Sequence, residues 1–341
     1  MGAARNGESA VKQRKIGPFR VTAIGLGCMN LSHAYGAPPS PAAGEALLLA
    51  ALAAGVTYFD TAALYGFGAN EELVGRVLRP HRKQVVLASK CGMTGVDGKR
   101  VIDGRPATIK RTCDESLRRL QTDVIDLYYL HRWDKKIPVE ESIGALADLV
   151  RAGKVRTIGM SEVSAATLRR AHAVHPITAL QNEYSLWSRN PEIAGLAACT
   201  ELGTAFVAFS PLARKFLTGT LRDVAGFEEK DIRRAMPRFT AENYAANLRL
   251  LDEYAAIARG VGCTQAQLAL AWLLARGGDV VPIPGTTNIQ HLRENMGALD
   301  VTLDAATVAR LDALINERTV VGPRYNAATQ TEIDTEEFPL R

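Results

Sequence analysis

IDLYYLHR at Ile125–Arg132, PVEESIGALADLVRAG at Pro138–Gly153 and VRTIGMSE at Val155–Glu162 together decide the architecture. The outer two are short apolar runs rich in Ile, Val and aromatic residues, the pattern of buried strands. Between them, Pro138 with Glu140 and Glu141 opens a segment of 3.6-residue period that Gly153 stops, which reads as a helix. Strands joined through a helix are parallel, because a parallel pair needs a crossover of a dozen or more residues. Runs of the same kind recur along the chain: VTAIGLGCM from Val21, VTYFDTA from Val56, QVVLASKCG from Gln84, ALQNEYSL from Ala179, AFVAFSPL from Ala205 and VVPIPGT from Val280. Pro191 with Glu192 starts another helix, which Gly203 stops. Six of the intervals between strand starts run 24 to 41 residues, the length of one strand–helix unit. Eight such units predict an α/β fold of the (β/α)8 TIM-barrel type in a single domain.

A doubly wound sheet is the structural alternative, and the GLG at Gly25–Gly27 invites it. Cys28, Met29 and Asn30 follow, the third glycine is missing, and the next periodic helix begins near Pro41, so the dinucleotide fingerprint fails. The seventh interval is longer, 75 residues from Ala205 to Val280, and holds an irregular charged stretch from Ala213 to Thr240. A loop of that length after a strand reads as a lid or clamp, or as a tolerated surface insertion. Its basic residues Arg214, Lys215, Arg222, Arg233, Arg234 and Arg238 favour a clamp for an anion. From Arg318 to Arg341 the chain reads as an extended arm without helical period. The expected organisation is a flexible N-terminus over 1–15, the barrel over 16–325 and a C-terminal tail over 326–341.

The 341 residues carry 41 basic against 36 acidic side chains, a net charge of +5, and are 47% hydrophobic, an ordinary globular composition that excludes disorder, collagen and coiled coil. No block of five like charges occurs, so no nucleic-acid arm is expected. Five cysteines without a CxxC pair (Cys28, Cys91, Cys113, Cys199 and Cys263) argue against a disulfide framework or zinc ribbon and for a reducing, cytoplasmic compartment. No apolar run approaches the ~18 residues of a membrane span, and the opening lacks the apolar core of a signal peptide. The partner implied is a small molecule, the chain itself being a monomer or weak homo-oligomer.

In a barrel of parallel strands, polar residues at the C-terminal strand ends face the active site. Those ends carry Asp60, with Tyr65 five residues beyond, then Lys90 and His131. Further round come Ser161 with Glu162, Gln181 with Asn182, Ser210, and Gly285 with Thr286 and Thr287. A lysine after the buried run VVLAS is costly unless paired, and Asp60 on the neighbouring strand end is the obvious partner. A tyrosine beside that ammonium has its phenolate favoured, which lowers its pKa from ~10 toward the range of a general acid. His131 can hydrogen-bond a carbonyl oxygen and orient it. Asp, Tyr, Lys and His at these ends make no nucleophile–base pair and no ligand set for a divalent metal, so no metal is expected. Proton transfer coupled to another step is left.

GVTYFDTAALYG, the lysine of VVLASKCG and the histidine of DLYYLHRWD resemble the signatures of the aldo/keto reductase family, as do GLGCMN, GKVRTIGMSEVS, HPITALQNEYSLWSR, FSPLARKFLTG and VPIPGTTNIQHLREN. The resemblance runs from about Ile16 to Arg324 and is greatest to bacterial members and plant alkaloid-aldehyde reductases that share RRAHAVHP and EYSLW. It implies a catalytic tetrad of Asp60, Tyr65, Lys90 and His131, and NADPH, with NADH as the alternative, as hydride source for reducing an aldehyde or ketone. Ser161 and Gln181 then hold the nicotinamide carboxamide, Phe209 stacks on the ring, and Ser210, Leu212 and Arg214 match the pyrophosphate loop. Glu294 and Asn295 match positions that hold the adenine. Cys28, Met29, Asp60, Pro211, Ile283, Gly285, Thr286, Thr287 and Gln290 complete the implied cofactor surface. Substrate walls are expected from Met29, Tyr35, Trp133 and Tyr325, with Phe67 and Met93 beside them.

Three departures from the family pattern bear on function. Phe209 stands where many members have Tyr, which keeps the aromatic face. Glu162 stands where Asn is common, and an ionised carboxylate cannot donate to a carboxamide. Where the family offers Lys or Arg to the 2′-phosphate, this chain has Gly285, Thr286, Thr287, Asn288, Gln290 and His291, with Arg293 or Arg214 as substitutes. Two other functions stay open at this stage: a nucleotide-binding regulatory subunit of the same fold, and a Schiff-base aldolase using Lys90, which Asp60 disfavours by keeping the amine protonated.

Overall fold

A computed structural model describes residues 11–32 and 34–339. The segment expected to be a flexible N-terminus lies mostly outside the described residues. The chain begins with an antiparallel hairpin, β1 (Gln13–Ile16) and β2 (Phe19–Thr22), followed by eight parallel strands: β3 (Leu26–Gly27), β4 (Tyr58–Asp60), β5 (Val86–Cys91), β8 (Ile125–Leu130), β9 (Val155–Ser161), β10 (Ala179–Glu183), β11 (Ala205–Phe209) and β12 (Val280–Pro282). A second hairpin, β6 (Met93–Val96) with β7 (Lys99–Ile102), projects after β5.

Neighbouring parallel strands pair in chain order from β3 to β12. The ring closes where Gly25 N donates to Pro282 O at 3.0 Å and Gly27 N to Pro284 O at 3.3 Å. This close approach explains the glycines: a Cβ on Gly27 would sit 2.8 Å from the carbonyl oxygen of Ile283. The GLG therefore closes a barrel and opens no dinucleotide turn. The run beginning at Val21 is divided accordingly between the end of a hairpin and a two-residue strand.

Side chains alternate across each strand. Tyr58, Ala88, Leu127, Tyr129, Ala179, Val207 and Val281 point inward and pack with Ile283, with Ile16 and Val21 from the first hairpin in the same cluster. Phe59, Leu87, Tyr128, Leu130, Leu180 and Phe206 point outward into the layer shared with the helices. Two positions beyond Tyr58, Ala88, Tyr129, Ala179 and Val207, the same inward register delivers Asp60, Lys90, His131, Gln181 and Phe209 to the C-terminal end of the barrel. Period-two alternation thus fills the barrel and aims the site.

Helices α1 (Pro41–Ala53), α2 (Ala69–Leu78), α3 (Pro106–Leu120), α4 (Val139–Arg151), α5 (Ala165–Val174), α6 (Gly195–Leu202), α7 (Ala241–Leu248), α8 (Leu250–Val261), α9 (Gln265–Leu274), α10 (Ile289–Met296) and α11 (Ala305–Leu314) join or flank the strands. Pro138 and Gly153 bound α4 as expected, and α6 ends at Gly203, which has a φ of 64°. The long segment after β11 makes three short 3-10 turns before α7. The C-terminal arm contains one helical turn, α12 (Ala327–Gln330), and is strapped to the barrel. Arg324 forms a buried bidentate pair with Glu162 at 3.1 and 2.7 Å. Asp334 accepts from Ser164 N, Ser164 Oγ and Thr167 Oγ1 at the start of α5, and Glu336 from Ala165 N. No helix among the described residues is long and apolar enough to cross a membrane.

Candidate functional site

At the C-terminal end of the barrel lies a cavity of about 760 Å3. Beneath its floor Lys90, fully buried, forms an ion pair with Asp60 and donates to Thr61 O at 3.0 Å and Tyr65 Oη at 3.3 Å. Gln181 Nε2 donates to the other Asp60 oxygen at 2.8 Å. The His131 ring meets Tyr65 edge-on, centroids 5.7 Å apart. Four strand ends thus hold one buried polar cluster in which Asp60, Tyr65 and His131 line the cavity and Lys90 stands behind them.

The electrostatics follow from burial. Burial works against the charge of Lys90, yet Asp60 and Tyr65 together hold its ammonium above the usual lysine range. Burial pushes the Tyr65 phenol up, and Lys90, which pulls it down, does not fully offset this. The net direction is opposite to the lowering expected from sequence, because the cost of a buried phenolate outweighs the neighbouring ammonium. Lys90 limits the rise without reversing it.

Of the residues assigned to the cofactor, Met29, Asp60, Ser161, Gln181, Phe209, Ser210, Pro211, Leu212, Arg214, Ile283, Gly285, Thr286, Thr287, Glu294 and Asn295 line this cavity. Cys28 and Gln290 do not: the Cys28 thiol is buried toward Leu26 O, and Gln290 is exposed at the capped start of α10. Among the expected substrate residues, Met29, Tyr35, Met93 and Tyr325 line the cavity. Trp133 does not, because its indole N–H donates to Ile137 O at 2.8 Å and its ring lies under Arg170. Phe67 is exposed and away from the cavity, against Gly95.

The long loop contributes three of its six basic residues, Arg214, Lys215 and Arg233. Arg214 is committed to Glu183 at 2.8 Å and also donates to Tyr35 Oη at 3.3 Å and Tyr325 Oη at 3.1 Å. Burial would raise the Glu183 carboxyl, but Arg214, Arg324 and Arg238 hold it below the usual carboxylate range. Arg238 is turned away, donating to Trp187 O, Ser188 Oγ and Gly322 O. Glu162 takes Arg324 and so faces the arm. Arg293, the other substitute for a phosphate contact, is not among the cavity residues.

Arg100, Asn326 and Thr329 also line the cavity without having been anticipated. Arg100 comes from the β6–β7 hairpin, whose turn is Asp97–Gly98 with φ of 49° and 71°. Asp-Gly between short extended runs is a recognised hairpin signal. Asn326 and Thr329 arrive on the strapped arm, for which the sequence carries no local sign.

The donor set suits an extended dinucleotide. Phe209 offers an aromatic face near Ser161 and Gln181. Positive φ at Ser210, Ala213, Arg214 and Lys215 bends the loop into the kind of concavity where backbone amides receive anions. Hydroxyls and amides of Thr286, Thr287, Asn288 and Asn295 lie beyond. Among the described residues no group of three or more His, Cys, Asp or Glu side chains is placed to hold a metal ion.

Residues 23–316 match the model of the aldo/keto reductase family. The chain is 43% identical to the aldo-keto reductase yakc of Schizosaccharomyces pombe, whose name carries NADP(+), over 97% of this chain and 99% of that protein. A glycerol dehydrogenase from Gluconobacter oxydans superposes with a TM-score of 0.83 at 28% identity, covering 92% of this chain and 99% of that one. An aldo/keto reductase from Klebsiella pneumoniae, solved with NADP and acetate, gives a TM-score of 0.70 at 30% identity, covering 93% and 99%.

Proposed function

The chain belongs to the aldo/keto reductase family, and on that premise we propose that it reduces an aldehyde or ketone to the alcohol with NADPH, Tyr65 giving the proton. The observation that carries this reading is the buried Lys90–Tyr65–Asp60 cluster opening on one cavity with His131. When bound, the reduced nicotinamide supplies the hydride that becomes the new C–H bond of the product. Ser161 and Gln181 would hold its carboxamide, Phe209 would back the ring, the 210–215 loop would receive the diphosphate, and Asn295 and Glu294 would take the adenine end.

Within the chain, His131 orients the carbonyl oxygen and Tyr65 donates to it as the C=O π bond opens. Tyr65 is left as a buried phenolate, the species that burial makes expensive. The Lys90 ammonium, held charged by Asp60, stabilises that phenolate, and the proton is restored from solvent. A Lys90 whose ammonium Asp60 and Tyr65 favour is also a poor nucleophile, which counts against the aldolase.

Titration with NADPH and with NADH, followed by turnover on a panel of aldehydes and ketones, tests the reading. Tight nucleotide binding with no turnover on any carbonyl compound would favour a regulatory subunit instead. Turnover without a nicotinamide requirement would overturn the reading.

A further inference from the structure

Among the described residues four arginines line the cavity, and three are already neutralised: Arg100 by Glu332, Arg214 by Glu183 and Arg233 by Asp231. Arg132 is not. Among the described residues no carboxylate lies within ion-pair distance of it. Its hydrogen bonds to the described residues leave through Nη1, to its own neighbour's carbonyl, His131 O, at 2.7 Å and to Ser161 Oγ at 3.4 Å. Those contacts pin one corner of the guanidinium and leave Nε and Nη2 without a partner among the described residues. The Nε–Nη2 edge is one of the two edges on which a guanidinium receives a carboxylate through two parallel hydrogen bonds. Arg132 directly follows His131 and is partly buried, so an anion on that edge would be close to the reacting carbonyl and partly withdrawn from water. Among the described residues the other lysine or arginine of the cavity lacking an ion pair, Lys215, is exposed and sits on the loop proposed to face the diphosphate.

We infer that Arg132 selects the substrate, and that the preferred carbonyl compound is an oxo acid whose carboxylate takes the free edge of this guanidinium. This rests on the reductase reading above and narrows its substrate class. The reaction is balanced without further reactants: hydride from NADPH adds to the carbonyl carbon, the π electrons pass to oxygen, Tyr65 supplies the proton, and the carboxylate leaves unchanged in a hydroxy acid. Tyr65 and His131 act on the carbonyl end, and Arg132 fixes the other end.

The test compares acids with their own methyl esters, which remove the charge and keep the carbonyl. Formylbenzoates carrying the carboxylate at each ring position, and short ω-oxo acids, are assayed with the full chain at saturating NADPH. At least one acid should exceed its ester by about tenfold or more in kcat/KM, mainly through KM, as a charge-assisted bond lost with the ester implies. In Arg132→Gln that acid-to-ester ratio should collapse toward unity, and Arg132→Lys, which keeps the charge without the fork, should retain part of it. Esters that equal or outrun every acid would overturn the inference, as would a ratio that survives Arg132→Gln or a preference for a phosphorylated aldehyde over all the oxo acids. Should Arg132→Gln fold poorly, judged by its NADPH affinity, added chloride decides on wild type: it must depress the acids more than the esters. Failure of the reductase reading looks different, since then neither acids nor esters turn over.

Discussion

Replacing Lys90 by Met isolates the pair on which the site is built. Met keeps most of the length of the lysine stem, so the change is chiefly the loss of the ammonium and its three contacts, with Asp60, Thr61 O and Tyr65 Oη. Breaking a buried ion pair from one side costs ~3–5 kcal/mol, because the surviving charge stays uncompensated. Asp60 keeps the bond from Gln181 Nε2 at 2.8 Å, which favours the lower half of that range. The lost donors to Thr61 O and Tyr65 Oη add ~1 kcal/mol each at most. The net destabilisation should be ~3–6 kcal/mol, a large part of the total for a domain. Urea unfolding followed by far-ultraviolet circular dichroism measures it. The control is Asp60→Asn with Lys90→Met, which removes both charges and should recover most of the loss. Lys90→Met within about 1 kcal/mol of wild type, or a double variant as unstable as the single one, would refute the buried pair.

The cofactor end gives a second expectation. Thr287 is exposed at the cavity, so Thr287→Lys should tighten NADPH by about tenfold and leave NADH nearly unchanged; equal tightening of both in a fluorescence titration would place position 287 away from the 2′-phosphate. Arg324→Gln leaves the Glu162 carboxylate buried without its partner, and should cost ~3–5 kcal/mol and expose the arm to limited proteolysis; an arm as resistant as in wild type would show that the other straps suffice. Glu183 is held below the ordinary carboxylate value of ~4.3, so its stabilisation is present above that value and is lost as pH falls through its lower native value. Glu183→Gln should therefore be less stable than wild type at neutral pH, with a gap in urea midpoint that narrows on acidification; a constant or widening gap contradicts the assignment.

The barrel was legible because its information is local and repeated. Each strand declares itself by an apolar run, each helix by its end residues, and parallel connection follows from spacing. The inward register of Asp60, Lys90, His131, Gln181 and Phe209 is equally local, since alternation along each strand fixes which ends meet. The direction of the Tyr65 shift was not legible, because it depends on how much water the folded cavity excludes and no spacing reports that. Trp133 misled for a related reason: its place beside His131 suggested a pocket wall, but a carbonyl four residues on and Arg170 on α5 drew the indole away. The β6–β7 hairpin had its Asp97–Gly98 signal and could have been found. The pairing of Glu162 with Arg324 joins residues 162 positions apart and has no sequence sign. Likewise, Arg214 could be read as a free cation until Glu183, Tyr35 and Tyr325 were seen to hold it.

The most direct test of proton donation by Tyr65 is a single-turnover measurement on Tyr65→Phe beside wild type. Both proteins are saturated with NADPH, their cofactor affinities having first been shown equal, and mixed with a reactive aldehyde while the absorbance of the reduced nicotinamide is followed. General acid catalysis contributes ~10²–10⁴ in rate, so loss of the phenol alone should slow the decay by at least about a hundredfold. A Tyr65→Phe protein that consumes NADPH within about tenfold of the wild-type rate would contradict the assignment of Tyr65 as the donor.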